Sequence, residues 1–346
     1  MTPGTGERWY RDMDTTVTVG GKKGLTGNAL KIIAIIAMFI DHFAAILVTD
    51  YLMNVTPNLQ GEELQAWFQT HIYVAVLEMV MGCMRLIGRF GFPLFAFLLV
   101  EGFTHTRSVK NYAIKLGIFA LISELPFNLG FSSKLLDPNY QNVFFTLLLG
   151  LLSLAAMHFL GEKQGKKEKW KPLFYVTALF LGPYGVYMLL KNCWVVELFF
   201  HPQGNMIWIL MACAAVLCLV LFTVLGRGWD TEKKNRFAFT FLSLMVFSML
   251  AELLMTDYSG GGVLTIVVMY LLRANRKKAF GFGVLVLTLM TPVEAMAFFM
   301  LIPVSKYNGE RGMKLNKYFF YVFYPAHIGL LYLVTYLLGF TTFALR

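Results

Sequence analysis

Long apolar runs, separated by short segments rich in lysine and arginine, make up most of the chain after residue 28. A helix needs about 20 apolar residues to cross the hydrocarbon core of a bilayer. We therefore predict an all-α integral membrane protein, a bundle of about ten transmembrane helices with some broken or re-entrant segments. The predicted spans lie near residues 30–49, 86–104, 111–130, 143–160, 172–190, 205–225, 237–256, 260–273, 279–302 and 318–339.

Three of these runs are irregular. Residues 72–104 form an apolar stretch too long for one span, so we expect residues 70–85 to be an interfacial or tilted helix that leads into the span. The run 260–273 is short and begins with three glycines, which indicates a half-helix. The run 279–302 is interrupted by Pro292, and proline breaks or kinks a helix.

The composition agrees with this pattern. Apolar residues make up 57% of the chain and charged residues 14%, and the mean hydropathy is +0.61. A soluble chain has about 45–50% apolar and about 25% charged residues, so a soluble globule is excluded. We expect a polar cytoplasmic extension over residues 1–28, followed by a single transmembrane domain over residues 29–346.

The basic residues lie mainly on one side of the predicted bundle. The N-terminal segment and every second loop carry 21 lysines and arginines, whereas the first four opposite loops carry only Lys134 and Lys191. Basic loops tend to stay in the cytoplasm, so we predict a cell-membrane protein with a cytoplasmic N-terminus. The net charge of +10 comes from these clusters, and no nucleic-acid partner is expected.

The loop 303–317 does not fit this rule, because it is basic and ten spans place it outside. Either one predicted span after residue 256 does not cross the membrane, or the loop folds into a site. We expect the first.

Charged groups inside the hydrocarbon layer are costly and mark functional sites. Asp41 and His42 lie near the middle of the first span, and we expect a cationic partner for Asp41. Arg85 and Arg89 are one helical turn apart, and His327 lies about as deep in its span as His42. Polar contacts between helices, or snorkelling of the arginines to headgroups, are the structural alternatives.

Further polar residues concentrate in the central and outer layers. Glu124 and Asn128 share a helix face around Pro126, and Gln141 and Asn142 follow at the outer end of the next span. Glu252 lies in the outer half of the span 237–256, and Glu294 lies two residues after Pro292. Near the cytoplasmic end, Glu101 and His105 have the spacing of an ordinary helix-end pair. The cysteines lack the spacing of metal ligands, so no metal is expected.

The stretches 30–47, 85–131 and 141–152 resemble the TraX family, membrane proteins associated with N-terminal acetylation of conjugative pilin. The likeness resumes in DYSGGGVLTIVVMYLLR, YNGERG and KYFFYVFYPAHI, and these blocks cover about a third of the chain in the family's order. Residues 160–235 match only as hydrophobic spans. A weaker likeness in layout links the family to transmembrane acyltransferases such as heparan-alpha-glucosaminide N-acetyltransferase.

The resemblance implies an acetyltransferase that uses cytosolic acetyl-CoA as co-substrate. It suggests His42 as the base or transient acetyl carrier, Arg89 with Arg85 to polarise the carbonyl group or to pair with Asp41, and His327 as a second histidine. The acceptor side would be lined by Glu124, Asn128, Gln141 and Asn142. The CoA phosphates would bind to His105, Arg107 and Lys110, joined by Tyr307, Asn308 and Arg311 if the loop 303–317 faces inward.

Several alternatives stay open at the level of sequence. The acceptor could be a peptide N-terminus, an envelope sugar or a small amine. A secondary transporter or flippase would also carry broken helices and midplane charges, although no inverted repeat is visible. A structural scaffold explains Asp41 and His42 poorly. Membrane lipid is an expected partner, and a homodimer is possible because lipid-facing and interface faces look alike in sequence.

Overall fold

The computed structural model describes residues 23–191, 193–194, 196, 205–312 and 318–341. Most of the N-terminal extension predicted over residues 1–28 lies outside the described residues. The α-helices are α1 Gly27–His42, α2 Thr49–Val55, α3 Gly61–Thr70, α4 Ile72–Gly88, α5 Gly91–His105, α6 Val109–Ser132, α7 Val143–Gln164, α8 Lys171–Val176, α9 Gly182–Lys191, α10 Asn205–Gly226, α11 Thr231–Leu253, α12 Ser259–Leu271, α13 Arg276–Met290, α14 Leu301–Ser305 and α15 Phe319–Leu337. Two π-helical turns, Phe43–Val48 and Thr177–Leu181, join α1 to α2 and α8 to α9, and a 3-10 helix, Pro292–Met300, precedes α14.

The predicted all-helical membrane protein is confirmed, but the count of ten spans is not. Within the described residues, six helical segments are long and apolar enough to cross a membrane. They are Gly27–Val55, Ile72–His105, Val109–Ser132, Val143–Gln164, Thr231–Leu253 and Phe319–Leu337. The shorter apolar helices are Ala212–Val224, Ser259–Leu271 and Pro292–Ser305.

The stretch predicted as an interfacial helix followed by a span is a single kinked segment. Helix α4 forms its first half and α5 its second half, with a tight turn at Arg89–Phe90 in which each amide bonds three residues back. Gly91 lies against α1, because a Cβ atom there would sit 3.7 Å from Ala34 O and Met38 Cβ. Gly91 is thus at van der Waals distance from α1, and Gly88, on the other side of the turn, leaves room for the Asp41 side chain of α1.

Residues 276–312 form a re-entrant hairpin that begins and ends at one end of the bundle. Helix α13 ends before Pro292, as predicted, and the chain then returns through the 3-10 helix and α14. At its end, Leu25 N donates to Lys306 O at 2.8 Å and Asn308 N donates to Leu25 O at 2.9 Å. The run 279–302 thus consists of two antiparallel arms rather than one span, and the loop after it lies beside the start of α1. This explains the basic loop that ten spans placed outside.

The central core lies where α1, α5, α7 and α12 meet. Leu30, Phe97, Leu151 and Ile266 are fully or almost fully buried there. A Cβ atom on Gly150 would collide with Ile266, so the glycine allows α7 to contact α12. The short α12, predicted as a half-helix, is therefore held inside the bundle rather than against lipid.

Candidate functional site

The centre of the site is a pair of histidines on α1 and α15 whose parallel rings meet edge to edge through a hydrogen bond. His42 is the last residue of α1 and directly precedes the π-helical turn Phe43–Val48. π-Helical turns that interrupt an α-helix are frequent at functional sites. His42 Nδ1 lies 2.7 Å from His327 Nε2, and the ring planes are 3° apart. Both rings are buried, with 9% and 4% of their residue surfaces exposed. The structure thus brings together two histidines that are 285 residues apart in the sequence.

The hydrogen bonds define the tautomers of the two neutral rings. His327 Nδ1 lies 2.6 Å from Phe323 O, and because a carbonyl oxygen only accepts, Nδ1 carries the proton. His327 Nε2 is then the acceptor for the Nδ1 proton of His42. The remaining nitrogen, His42 Nε2, is left with a free lone pair. The pair therefore presents one base that is oriented by a second ring, an arrangement that catalytic histidines of enzymes also use.

Aromatic rings enclose the histidine pair. Phe131 and Tyr324 contact the His42 ring edge-on, with centroids 5.4 Å and 5.8 Å away, and Phe323 stacks on His327 at 4.7 Å. These contacts fix the ring orientations and exclude water, which strengthens electrostatic interactions inside the site.

Asp41 has the cationic partner that its position predicts, and it is Arg85. Arg85 Nη1 lies 2.6 Å from Asp41 Oδ2. Gly88, one turn from Arg85, makes room for this pair, because a Cβ atom at Gly88 would overlap the Asp41 carboxylate. Arg85 is also the cation that acts electrostatically on His42.

Arg89 pairs with a residue outside the predicted site, Glu294 in the re-entrant hairpin. Arg89 Nη1 lies 3.4 Å from Glu294 Oε1, and 5% of the Glu294 side chain is exposed. The Tyr258 hydroxyl is a second hydrogen-bond partner of Arg89. The kink between α4 and α5 therefore meets the inner tip of the hairpin through a buried ion pair.

The turn between α11 and α12 brings further unpredicted groups to this cluster. Tyr258 has φ of 62°, in the left-handed region, and its ring stacks on Phe92 with centroids 3.9 Å apart. Gln141 fixes the turn through its backbone, since Asp257 N donates to Gln141 O at 2.8 Å. Tyr140 donates its hydroxyl to Asp257 Oδ1 at 3.1 Å. Left-handed conformations of this kind persist where the surroundings enforce them, often at functional sites.

The predicted acceptor-side residues come together in part. Asn142 Nδ2 donates to Glu124 Oε2 at 2.5 Å and to Ala120 O at 2.9 Å, while Asn142 Oδ1 caps α7. Asn128 is a further hydrogen-bond partner of Glu124. The Gln141 side chain instead donates to Asp137 O, away from Glu124, so Gln141 contributes through its backbone.

The predicted cofactor-binding residues lie at the end of the bundle where α1 begins. Arg107 and Lys110 are exposed, and the His105 ring donates to Glu101 O at 2.7 Å. Glu101 binds Arg276 of the hairpin at 3.3 Å, not His105, so the expected helix-end pair does not form.

The loop residues predicted to bind the cofactor lie at this same end. Asn308 and Arg311 pair through their backbones with Leu25 and Asn28 at the start of α1. The guanidinium of Arg276 lies 4.9 Å from the centre of the Tyr307 ring.

Asp257 and Tyr307 are among the groups outside the spanning helices that have raised pKa values. Burial raises the pKa of Asp257 to about 6, although the Tyr140 hydroxyl opposes the shift. Burial, helped by the Glu101 carboxylate, raises the pKa of Tyr307 to about 12. Tyr307 is thus a neutral hydrogen-bonding group at physiological pH.

Three carboxylates around the histidines each keep one buried oxygen without a hydrogen-bond partner. These oxygens are Asp41 Oδ1, Glu124 Oε1 and Glu294 Oε2. Buried polar atoms are almost always satisfied, so such atoms in one region indicate a polar ligand. Within the described residues, no group of histidine, cysteine and carboxylate side chains has the arrangement of a metal site.

Sequence reasoning did not include Glu294, Asp257, Tyr258 and Arg276 among the site residues. Two features of the sequence could have indicated these residues. They are the charged Glu294 within an apolar run, and the Asp257–Tyr258 pair shortly before three glycines.

Fold and site together define a polytopic helical membrane protein with a histidine pair buried among ionisable groups. The chain belongs to the TraX family, since the family model, described as TraX protein, matches residues 26–224 and 195–335. It is also similar to a probable fimbrial assembly protein FimC, serogroup H1, of Dichelobacter nodosus. The two are 24% identical over 310 residues, which cover 87% of this chain and 92% of that protein. No solved structure matches the chain.

Proposed function

We propose that this protein is a membrane-embedded acetyltransferase that moves an acetyl group from acetyl-CoA to an amine or hydroxyl acceptor, within or across the membrane. The observation that carries the proposal is the chain of hydrogen bonds from His42 through His327 to Phe323 O. It leaves His42 Nε2 as a free base at mid-membrane depth. The TraX family and the relative named for fimbrial assembly support a peptide N-terminus as the acceptor.

In the proposed reaction His42 Nε2 takes the proton from the acceptor amine as its nitrogen attacks the thioester carbon. The carbon–sulfur bond then breaks, and the CoA thiolate leaves and takes that proton from His42. His327 accepts a hydrogen bond from His42 Nδ1 throughout, which stabilises the imidazolium that forms. Positioned proton transfer of this kind contributes typically about 10²–10⁴ in rate. Transient transfer of the acetyl group to His42 Nε2 is a second route that starts from the same lone pair.

The developing oxyanion needs a positive group nearby. Arg85 fits this role best, since it faces Asp41, the neighbour of His42 in the chain, and acts electrostatically on His42. Arg89 forms an ion pair with Glu294 and a hydrogen bond with Tyr258. We assign Arg89 the role of positioning the kink between α4 and α5.

Charge in the site favours an amine over a hydroxyl acceptor. Asp41 pairs with Arg85 and Glu294 pairs with Arg89, whereas Asp257 and Glu124 lie near Tyr324, which contacts His42. The carboxylates outnumber the cations, and three of them have a free buried oxygen. An incoming ammonium group would be attracted by this excess, and one of those carboxylates would take its extra proton, so that the neutral amine attacks the thioester.

The proposed location is the cell membrane, with the N-terminus in the cytoplasm. The distribution of basic residues supports this orientation. It gives the end of the bundle that carries Arg107, Lys110 and Arg311 access to cytosolic acetyl-CoA.

The experiment is thermal unfolding of the purified protein with acetyl-CoA, CoA or desphospho analogues. A ligand that binds only the folded state raises the apparent melting temperature by mass action. We expect a rise with acetyl-CoA and a smaller one with the desphospho analogue, together with acetyl transfer that His42→Ala lowers about a hundredfold. Absence of any shift in folded protein contradicts the proposal.

A secondary transporter is the other candidate, favoured by the re-entrant hairpin and the charges at mid-membrane depth. It predicts substrate flux into proteoliposomes without consumption of acetyl-CoA. The acetyltransferase predicts release of free CoA when an amine acceptor is present.

A further inference from the structure

A cavity of about 190 Å³ lies between α9, α11, α12 and α13, separate from the histidine pair. Its walls are almost entirely apolar, and they contain three flexible thioether side chains, those of Met245, Met249 and Met290. Methionine adapts its shape to apolar ligands of varied outline. An apolar cavity of about 150 Å³ stays dry and takes up benzene, so this one has room for an alkyl segment of about six carbon atoms or slightly more.

Two polar side chains in the wall bind the backbone of α12. Ser248 Oγ donates to Gly260 O at 3.4 Å, and Gly260 N donates to Glu252 Oε1 at 3.2 Å. These bonds fasten α11 to the first turn of α12. Because they engage both polar side chains, the cavity offers a phosphate or peptide group little compensation for its lost hydration. An alkyl chain has no such loss and fits the cavity better.

The cavity reaches the lipid-facing surface of α11, which is one of the six candidate spans. Met249 lines the cavity, and 43% of its surface is exposed. Val246 and Leu253, three residues before it and four after it, are exposed on the same side of the helix. The hydrocarbon that covers this stripe is therefore continuous with the cavity. The acyl chains of the bilayer are the apolar molecules that meet the cavity there.

The cavity also borders the turn that contributes Tyr258 to the site. Gly260 and Gly261, which line the cavity, follow Tyr258 after a single serine. Met290 of the re-entrant hairpin lies against Gly261, since a Cβ atom on that glycine would collide with the methionine sulfur. A chain in the cavity would therefore contact the same turn and the same hairpin that meet Arg89.

We propose that this cavity binds one acyl chain of a membrane phospholipid, which enters beside Met249 and packs the hairpin against α11 and α12. The inference does not depend on the proposed acetyltransferase function, because it rests on the cavity and on the lipid-facing stripe of α11. It makes a phospholipid chain a ligand of the turn that holds Tyr258.

The test uses the full chain in nanodiscs that contain a phosphatidylethanolamine with a diazirine near the end of one acyl chain. Illumination attaches this chain to the residues that it touches, and mass spectrometry of the digested protein locates them. We expect label on Met245, a buried residue of the cavity wall, and on Leu253, an exposed residue outside the wall. Met269, which is buried but does not line the cavity, should stay unlabelled.

Two substitutions fill the cavity from different walls, Leu264→Trp on α12 and Val186→Phe on α9. Each should lower the label on Met245 about tenfold or more, because the added ring occupies the space of the chain. The label on Leu253 should not change. Leu250→Trp, on α11 but outside the cavity wall, is the matched control and should leave the label on Met245 as in wild type. Thermal unfolding verifies that each variant is folded.

Label confined to exposed residues of wild type overturns the inference. Label on Met245 that persists in both folded cavity-filling variants overturns it as well. An apolar peptide with a free amino terminus, added to the same nanodiscs, distinguishes the two sources of an apolar chain. If the peptide removes the label from Met245 but not from Leu253, the cavity binds peptide rather than lipid, and the inference fails.

Discussion

At the scale of single residues, the histidine pair is the feature on which activity depends. We expect His42→Ala to lower acetyl transfer by about 10² or more, because it removes the base. His327→Ala should lower it less, since the base stays but loses its orientation. Transfer rates at saturating acetyl-CoA, with thermal unfolding to verify folding, measure both. Equal losses in both variants without any loss of folding would indicate that the rings act as one unit.

Gly88 offers a test of the Asp41–Arg85 pair. We expect Gly88→Ala to destabilise the protein by about 1–3 kcal/mol, because the new methyl group would occupy the space of the Asp41 carboxylate. Gly82 lies in the same helix and has no neighbour that a Cβ atom would meet, so Gly82→Ala should cause no loss. Unfolding in mixed detergent measures both. Similar stabilities would show that Asp41 does not pack against Gly88.

The buried pair of Arg89 and Glu294 makes a third prediction. Arg89→Met leaves Glu294 without its cation and should cost about 3–5 kcal/mol. Exchange of both residues for methionine should recover much of this loss, because no unpaired charge remains. Denaturant titration in detergent micelles measures the difference. A double variant no more stable than Arg89→Met would argue against direct pairing.

The sequence identified Asp41, Arg85 and Arg89 as site residues but did not show which of them pair. A cationic partner was expected for Asp41, but Arg85 and Arg89 lie on one helix face, so their spacing in the sequence did not distinguish between them. The choice depends on the kink between α4 and α5 and on Gly88. Glu294 could not be paired at all, because its partner is 205 residues away and meets it only through the re-entrant hairpin.

At the scale of elements, the turn between α11 and α12 links pH to stability. The folded pKa of Asp257 is about 6, above the ordinary value of 3.8. The protonated Asp257 carboxyl therefore makes its full contribution to the free energy of unfolding below about pH 4. This contribution is lost as the pH rises through 6. We expect the melting temperature to fall over this interval and Asp257→Asn to flatten the change.

Asp137 provides the control for this pH dependence. A hydrogen bond from Ser132 lowers the pKa of Asp137. The stability that the Asp137 carboxylate contributes is therefore lost only as the pH falls below the ordinary pKa of an aspartate. Asp137→Asn should leave the slope between pH 4 and 6 intact. A slope that persists in Asp257→Asn would assign the effect to another group.

Apolar length predicted the six candidate spans, but it also predicted spans at 172–190, 205–225, 260–273 and 279–302, which are not among the candidate spans of the described residues. The short α12 and the break at Pro292 follow from glycine, length and proline. The return of the chain after Pro292 does not, because both arms of the hairpin are as apolar as a span. Only the bonds between residues 25–28 and 306–311 show that both arms belong to one re-entrant segment.

At the scale of the whole molecule, the hairpin predicts which loops share a side of the membrane. In a variant without its four cysteines, Lys306→Cys should react with an impermeant maleimide only from the cytoplasmic side. Lys134→Cys, in the loop after α6, should react only from outside. Labelling of intact cells and inverted vesicles measures both. Reaction of both positions from one side would contradict the fold.

The measurement that tests the central claim most directly is acetyl transfer by the protein in nanodiscs. Isotope-labelled acetyl-CoA and an apolar peptide with a free amino terminus are added, and the peptide mass is followed for wild type, His42→Ala and His327→Ala. We predict acetylated peptide with wild type, about a hundredfold less with His42→Ala, and an intermediate amount with His327→Ala. Wild-type rates in folded His42→Ala protein would contradict the account.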